Sequence, residues 1–371
     1  MKNIGNRKSA TWKVLVGALA IVFAGSGHAL ASGNAAAGSN NLVAAAAGGA
    51  AATAGTGEIG GAIGGAFGFA SSGEKRLASL SENQYGTRSV KYLNLREQGR
   101  AAGSGELKFN VWLNGAYTWV EKTDTGGEFE GNVANLVGGV DYKITKKAIV
   151  GVSVGYENVD IDTNFNNGSL EADGISVAGY AGINLKGKRG PDILLTGVAG
   201  YTFLDYDTTR NNGANTGSFD GGRYFLNGSI AANWLLKGDK LRLTPKMSLL
   251  YVQETQDAYS ENTGLGVQEQ LIALGRFSLG AEVGYRIKSR SVKFIEPYAK
   301  LFWEWDWEHE DGENLGGGNF SSDDSVGFVA GGGINFVMND RFSARIEGSA
   351  NAIGRDNLDI YTVSGLIRYR F

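Results

Sequence analysis

Hydrophobic and polar residues alternate in steps of two over most of residues 107–371. In the first such segment, Leu107 to Trp119, the odd positions are apolar or glycine and most even positions are polar. This period is typical of a β-strand with one apolar face and one wet face. The pattern predicts about twelve strands, each close to the length that crosses a bilayer when tilted. The other predicted strands are Ala134–Tyr142, Val150–Tyr156, Ile175–Ile183, Ile193–Phe203, Tyr224–Trp234, Leu241–Tyr251, Leu271–Tyr285, Ile295–Trp305, Val326–Phe336, Phe342–Ala350 and Tyr361–Phe371.

The polar face of these strands carries many charged side chains. A β-sandwich, the alternative fold, would have to bury such ions in a dry core at a high cost in free energy. The sequence therefore predicts an all-β fold, a transmembrane antiparallel β-barrel with a charged, wet lumen and an apolar exterior that leaves no strand edge unpaired in lipid. The side chains expected to face the lumen are Arg242, Lys246, Arg276, Glu282, Glu296, Lys300, Glu304, Arg345, Glu347, Arg368 and Arg370.

The connections between the predicted strands alternate between two kinds. One kind is short and basic, as in Thr145–Lys147 and Lys237–Lys240, and matches the periplasmic turns of outer-membrane barrels. The other kind is long and acidic and is expected to form external loops, namely Asn158–Asp173, Asp205–Gly222, Glu254–Gln270 and Asp306–Asp324. Pro245 and Pro297 fall inside predicted strands, where each removes a hydrogen-bond donor, so we expect a bulge or a local break at both.

Three segments precede the barrel, which is assigned to residues 105–371. Residues 1–31 read as a signal peptide, because four basic residues precede the short apolar run Val14–Ala24 and Ala29-Leu30-Ala31 offers a cleavage site; an uncleaved anchor is the alternative. Residues 32–73 are rich in Gly and Ala and read as a low-complexity spacer or vestigial passenger, with too few bulky side chains to form a packed core. A second spanning helix is less favourable, because Glu58 would lie mid-bilayer.

Residues 74–104 read as a helical linker or plug. The segment lacks proline, its charged and apolar residues are interleaved, and its basic residues outnumber its acidic ones. A single cationic helix of this length cannot be a domain of its own, and must pack against or within something else.

Composition removes several classes of chemistry. The 371 residues include no Cys and two His, and the net charge of -3 gives no basic field for nucleic acid. Gly151 to Gly155 matches a nucleophile-elbow pattern but lies within an alternating strand, without the turn into a helix that this mechanism requires. His309 lies in a predicted loop, and no sequence spacing suggests a serine partner for it. The acidic residues from Asp306 to Glu313 lack the ligand spacing of a calcium loop. We expect no enzymatic activity, catalytic residue, metal or cofactor.

Taken together, these features resemble the autotransporter (type V secretion) translocator domain. The resemblance rests on a Sec-type signal, one helix before about twelve strands, the stretch Glu296-Pro297-Tyr298-Ala299-Lys300-Leu301 and the terminal Tyr369-Arg370-Phe371. It implies that the helix threads the lumen and once led to an exported passenger, although residues 32–73 hold no passenger of the usual size. It also implies that the barrel-assembly machinery reads a terminal signal, Tyr361, Val363, Gly365, Ile367, Tyr369 and Phe371.

A helix within the lumen should seek carboxylates for its basic side chains, because partly desolvated cations are costly without partners. We therefore expect Arg88, Lys91 or Arg96 to contact one or more of the lumen-facing glutamates Glu282, Glu296, Glu304 and Glu347.

Three function classes remain open. The first is an autotransporter-type barrel that anchors in the Gram-negative outer membrane and exports or displays its N-terminal segment at the cell surface. The second is a porin-like passive channel, and the third is a surface structural or adhesive barrel acting through its acidic loops. Expected partners are outer-membrane lipid and lipopolysaccharide, with the barrel-assembly machinery and periplasmic chaperones during biogenesis after Sec export. A monomer without nucleic acid is expected.

Overall fold

Twelve long antiparallel strands form a closed barrel in the computed structural model, which describes residues 57, 59–63, 66, 108–123, 126–186, 190–289, 291–309 and 324–371. Strands neighbouring in sequence pair with each other, and the first strand closes on the last. A two-stranded hairpin, β8 and β9, interrupts the series. The strands are β1 (Phe109–Lys122), β2 (Phe129–Thr145), β3 (Ala148–Thr163), β4 (Gly168–Lys186), β5 (Asp192–Arg210), β6 (Asn215–Leu236), β7 (Leu241–Gln256), β8 (Tyr259–Ser260), β9 (Gly266–Val267), β10 (Gln270–Tyr285), β11 (Phe294–His309), β12 (Val326–Val337), β13 (Phe342–Ile353) and β14 (Leu358–Arg370).

The alternation in sequence sets which side chains face the lumen. In β1 the even positions are buried and the odd positions are mostly exposed, so apolar residues such as Val111 and Leu113 point outward. Aromatic side chains mark both ends of this outer face, for example Phe109 and Trp119. These two are ten residues apart, which at about 3.3 Å per residue and a tilt of about 40° is about 25 Å along the membrane normal, the height of a lipid-facing band.

Several strands run well past the outer aromatic girdle. The predicted loops Asn158–Asp173 and Asp205–Gly222 are instead mostly strand, because β3 to β6 continue as two hairpins closed by short turns. Their outer faces are acidic, whereas their inner faces are apolar and pack together. This outer cluster consists of Val120, Phe129, Val133, Val159, Ile161, Leu170, Ala172, Leu204, Tyr206 and Phe219. The loop prediction was wrong here because the strand pattern continues beyond the membrane, where inward apolar residues still gain from burial.

The two prolines interrupt strand pairing without shifting its register. The β6–β7 ladder pairs Ala231 with Lys246 and resumes at Trp234 with Leu243, so the pairing lapses beside Pro245. The β10–β11 ladder ends at Gly284 with Tyr298, next to Pro297, and one isolated bridge follows. Both local breaks are as expected from the missing N–H donor.

A short helical segment lies against the inner wall of the barrel. Residues 57, 59–63 and 66 are helical, and none of the described helical residues forms a helix long and apolar enough to cross a membrane. Ile59, Ala62, Ile63 and Ala66 recur at the spacing of one helix face, and each is at most 2% exposed. They pack with wall residues of β1 to β7.

The packing of Ile59, Ala62, Ile63 and Ala66 was not expected from the sequence, which indicated that residues 32–73 hold too few bulky side chains for a packed core. A segment of small side chains cannot build its own core, but in the lumen the wall supplies the bulky partners, and small residues fit the confined space. The expected plug, residues 74–104, and the signal peptide, residues 1–31, lie outside the described residues.

Candidate functional site

The lumen is the candidate site, and one side of its wall is built to hold the helical segment. The wall residues that pack with the segment are apolar or aromatic, and most of them lie on β1 to β7. They are Trp112, Val137, Ile149, Ala178, Tyr180, Leu194, Val198, Phe225, Ala231, Leu250 and Val252, with Leu274 and Leu366 beside them.

Two polar contacts fix this side of the lumen. Arg368 of β14, 2% exposed, donates a hydrogen bond from Nη2 to the carbonyl oxygen of Ala62 in the helical segment. On the facing strands, the Trp112 indole donates to the Tyr180 hydroxyl at 2.8 Å. Glycines make room for these rings, since a Cβ on Gly139 would lie 2.4 Å from the Trp112 ring and one on Gly151 would lie 2.2 Å from the Tyr180 ring.

The opposite side of the lumen, on β7 and β10 to β13, carries a connected network of ion pairs. Glu296 is fully buried and accepts hydrogen bonds from Arg242 Nε at 2.8 Å, Arg286 Nε at 2.7 Å and Asn335 Nδ2 at 3.0 Å. Arg242 also pairs with Glu282. The charges are therefore compensated within the wall, as buried ions require.

The network continues through Glu347. Lys300 Nζ and the Tyr298 hydroxyl each donate to it at 2.5 Å, and Arg345 pairs with it as well. Arg345 also reaches Glu282 at 3.1 Å and stays 28% exposed along its side chain, so water reaches this part of the lumen.

Two further clusters lie toward the outer mouth. Arg223 bridges Glu157 at 2.6 Å and Glu254 at 2.8 Å, and all three are buried. Arg276 donates two hydrogen bonds to Asp306, at 2.6 and 2.8 Å.

Arg276 lies 3.4 Å from Glu304, and Arg355 pairs with Asp306 at 2.6 Å. Arg223, Arg286 and Arg355 are three lumen arginines that were not predicted from the sequence. Arg223 and Arg286 continue the inward alternation one residue beyond a predicted strand, whereas Arg355 lies in the turn between β13 and β14, which strand alternation does not reach.

The structure places all eleven predicted lumen residues on the inner face of their strands. Lys246 has no ion pair within the part of the chain that is described. Arg370 is half-buried at the periplasmic end of β14, next to the mouth of the lumen.

The proposed partners of the plug are already engaged. Arg88, Lys91 and Arg96 lie outside the described residues, but Glu282, Glu296, Glu304 and Glu347 each pair with arginine or lysine of the wall itself. The contacts expected for these three basic residues therefore stay a prediction, and any such contact would be made to carboxylates that already have cationic partners on neighbouring strands.

The terminal strand presents its alternate positions to lipid. Within β14 and the residue after it, the outward positions are all exposed, from 39% at Tyr369 to 59% at Phe371. These are the positions expected to form the assembly signal, namely Tyr361, Val363, Gly365, Ile367, Tyr369 and Phe371. They form one continuous apolar stripe beside β1.

The described residues contain no group of three or more His, Cys, Asp or Glu side chains that could hold a metal ion. The side chain of His309 is outside the described set. The arrangement as a whole is a packed, charge-compensated conduit that encloses a short helical segment of the same chain.

Comparison with known proteins assigns this architecture. The sequence matches the autotransporter β-domain family over residues 111–349. No protein of curated function matches it. The fold is similar to the translocator domain of the autotransporter NalP from Neisseria meningitidis, with a TM-score of 0.58 and 18% identity over 75% of this chain and 93% of that one.

Two other solved structures are similar. They are the β-domain of the Bordetella autotransporter BrkA (TM-score 0.57, 17% identity, 71% of this chain and 100% of that one) and the transport unit of AIDA-I from Escherichia coli (TM-score 0.53, 17% identity, 75% and 96%). These likenesses support the fold, and the family match covers more than half of the chain. The chain therefore belongs to the autotransporter family, as an outer-membrane β-barrel of the translocator type.

Proposed function

We propose that this barrel exports or displays its own N-terminal segment at the cell surface. The observation that carries the proposal is the helical segment at residues 59–63 and 66, which lies inside the lumen although it is more than forty residues upstream of β1. Because the chain enters the lumen before the first strand of the barrel begins, the residues upstream of the helical segment have a route through the barrel. A porin-like channel gives no reason for Ile59 and Ile63 to be enclosed by the wall.

Surface display can be tested with an epitope inserted after Asn34. The epitope should bind antibody on intact cells and should be removed by added protease without cell lysis. A matched control carries the same epitope at Gly238, in the exposed turn between β6 and β7, which faces the periplasm. The control should react only after the outer membrane is opened. An epitope at residue 34 that reacts only after lysis would refute display.

We also propose a route of biogenesis. Residues 1–31 direct Sec export, periplasmic chaperones protect the unfolded chain, and the barrel-assembly machinery reads the outward stripe of β14 before the monomer closes. Support comes from the lipid-facing exposure of Phe371 and the inward position of Arg370. Deletion of Phe371 should lower the folded fraction on heat-modifiability gels far more than Arg370→Ala. Equal losses would argue against a signal on that face.

The proposed role is anchorage and transport, without catalysis. Lipopolysaccharide is the expected partner of the outer surface.

A further inference from the structure

The turns at the periplasmic end of the barrel present mainly cations. In the described turns β2–β3, β6–β7, β10–β11 and β12–β13, Asp340 is the one exposed acidic side chain, and it pairs with Lys293. The exposed basic side chains, which we call the basic ring, are Lys146, Lys147, Lys237, Lys240, Lys288 and Arg341.

The basic ring lies just beyond an aromatic girdle. Tyr142, Trp234 and Tyr285 point outward near the ends of β2, β6 and β10, and each is at least 36% exposed. A member of the ring follows each of them three or four residues later in the chain. Outward aromatic residues lie at the membrane–water interface, so the basic side chains that follow reach the level of the lipid phosphates.

The opposite end of the barrel has the opposite charge. On the outer faces of β4, β5 and β6, Asp205 lies directly opposite Asp173 on one neighbouring strand and directly opposite Asp220 on the other. Like charges in directly opposite positions are unfavourable. Other exposed acids on outer faces at this end are Asp160, Asp162, Glu171 and Asp207. The net charge of -3 thus hides a separation of charge along the barrel axis.

We propose that the basic ring binds the phosphate groups of anionic phospholipids in the periplasmic leaflet of the outer membrane. Lysine and arginine held near an anionic lipid surface are attracted to it, and the attraction weakens with salt. The ring is spread over four turns around the barrel, so it suits a shell of many headgroups rather than one bound phosphate. This role is separate from export of the N-terminal segment and does not depend on it.

The test uses the full-length folded protein in vesicles of phosphatidylcholine that contain a minor fraction of phosphatidylglycerol. Electron spin resonance of spin-labelled lipids measures how strongly each headgroup associates with the barrel. The basic-ring variant carries K146Q, K147Q, K237Q, K240Q, K288Q and R341Q. The matched control neutralises six acids at the other end with D160N, D162N, E171Q, D205N, D207N and D220N. Heat-modifiable migration on gels establishes that both variants are folded.

The wild type should prefer phosphatidylglycerol over phosphatidylcholine by about fivefold at low salt, the ratio expected from one well-placed cation per lipid. The basic-ring variant should lose the preference, and the control should keep it. Millimolar inorganic phosphate should not compete with the lipid, because the basic ring suits a shell of many headgroups rather than one bound phosphate. Equal association of both lipids with the wild type, an unchanged preference in the basic-ring variant, or competition by free phosphate would each overturn the proposal.

Discussion

Replacing the carboxylate at the centre of the lumen network, Glu296→Gln, should strongly destabilise the barrel. Glu296 is fully buried and accepts hydrogen bonds from Arg242, Arg286 and Asn335. The glutamine side chain has nearly the same shape but no charge, so the change leaves the buried guanidinium groups without a counterion at this position. The consequence is electrostatic rather than a loss of packing.

The size of the loss in stability depends on which partners the neighbouring arginines retain. Removing one partner of a buried ion pair costs about 3–5 kcal/mol. Arg242 retains Glu282 and its 3.0 Å hydrogen bond to Thr244, so the lower end of that range applies. We therefore expect a loss of about 3 kcal/mol in the free energy of unfolding, roughly a 100-fold change in the unfolding equilibrium constant.

The assay is urea unfolding of the protein reconstituted in lipid vesicles, followed by gel mobility without boiling. The control is Glu130→Gln, which neutralises an exposed acid on the outer face of β2 and should change the free energy by less than about 0.5 kcal/mol. A Glu296→Gln barrel as stable as the wild type would refute the view that this network holds the wall together.

Two further results are expected. Gly139→Ala should cost about 1–3 kcal/mol in the free energy of unfolding, because its Cβ would lie 2.4 Å from the Trp112 ring. The control Gly197→Ala should cost far less, because its Cβ would meet nothing within 4 Å. Equal effects of the two substitutions in urea titrations would contradict the Trp112 contact. The hydrogen bond from Arg210 holds the pKa of Glu261 below its usual value, so the stability that this pair gives the external β8–β9 hairpin is present above about pH 4.3 and lost as pH falls through the lowered pKa. Protection of the hairpin amides from hydrogen exchange, taken relative to the intrinsic rate at each pH, should therefore fall at acid pH in the wild type, and Glu261→Gln should remove that dependence. An unchanged pH dependence of protection in the variant would assign it to another group.

The strands were predictable because a barrel in lipid enforces period-two alternation along its whole height. The same signal was present beyond the membrane, where Val159 and Ile161 alternate with Asp160 and Asp162. It was missed because the membrane span is already complete at Tyr156, and acidic residues there favoured a loop prediction. The structure shows that the inner apolar positions still have partners, in the outer cluster.

The lumen was predictable in character but not in detail. Periodicity places Glu296 and Arg242 on the inner face, but their pairing depends on the stagger of the strands, which brings residues 54 positions apart within 2.8 Å. The helical segment carries Ile59 and Ile63 at helical spacing, yet its packing depends on bulky wall residues far away in sequence. Local composition could not reveal that partner.

Single-channel conductance in planar bilayers tests directly whether the chain's own N-terminal segment occupies the barrel. The variant Ile59→Asp with Ile63→Asp places two carboxylates on the helix face against the apolar wall, where burial without partners is prohibitive. The matched control, Gly60→Asp with Gly61→Asp, adds the same charges to the less buried face, where a Cβ meets nothing within 4 Å. The first variant should expel the segment and raise conductance several-fold above the wild type, and the control should not. Wild-type conductance in the first variant, while it migrates as a folded barrel, would contradict an N-terminal segment seated in the lumen.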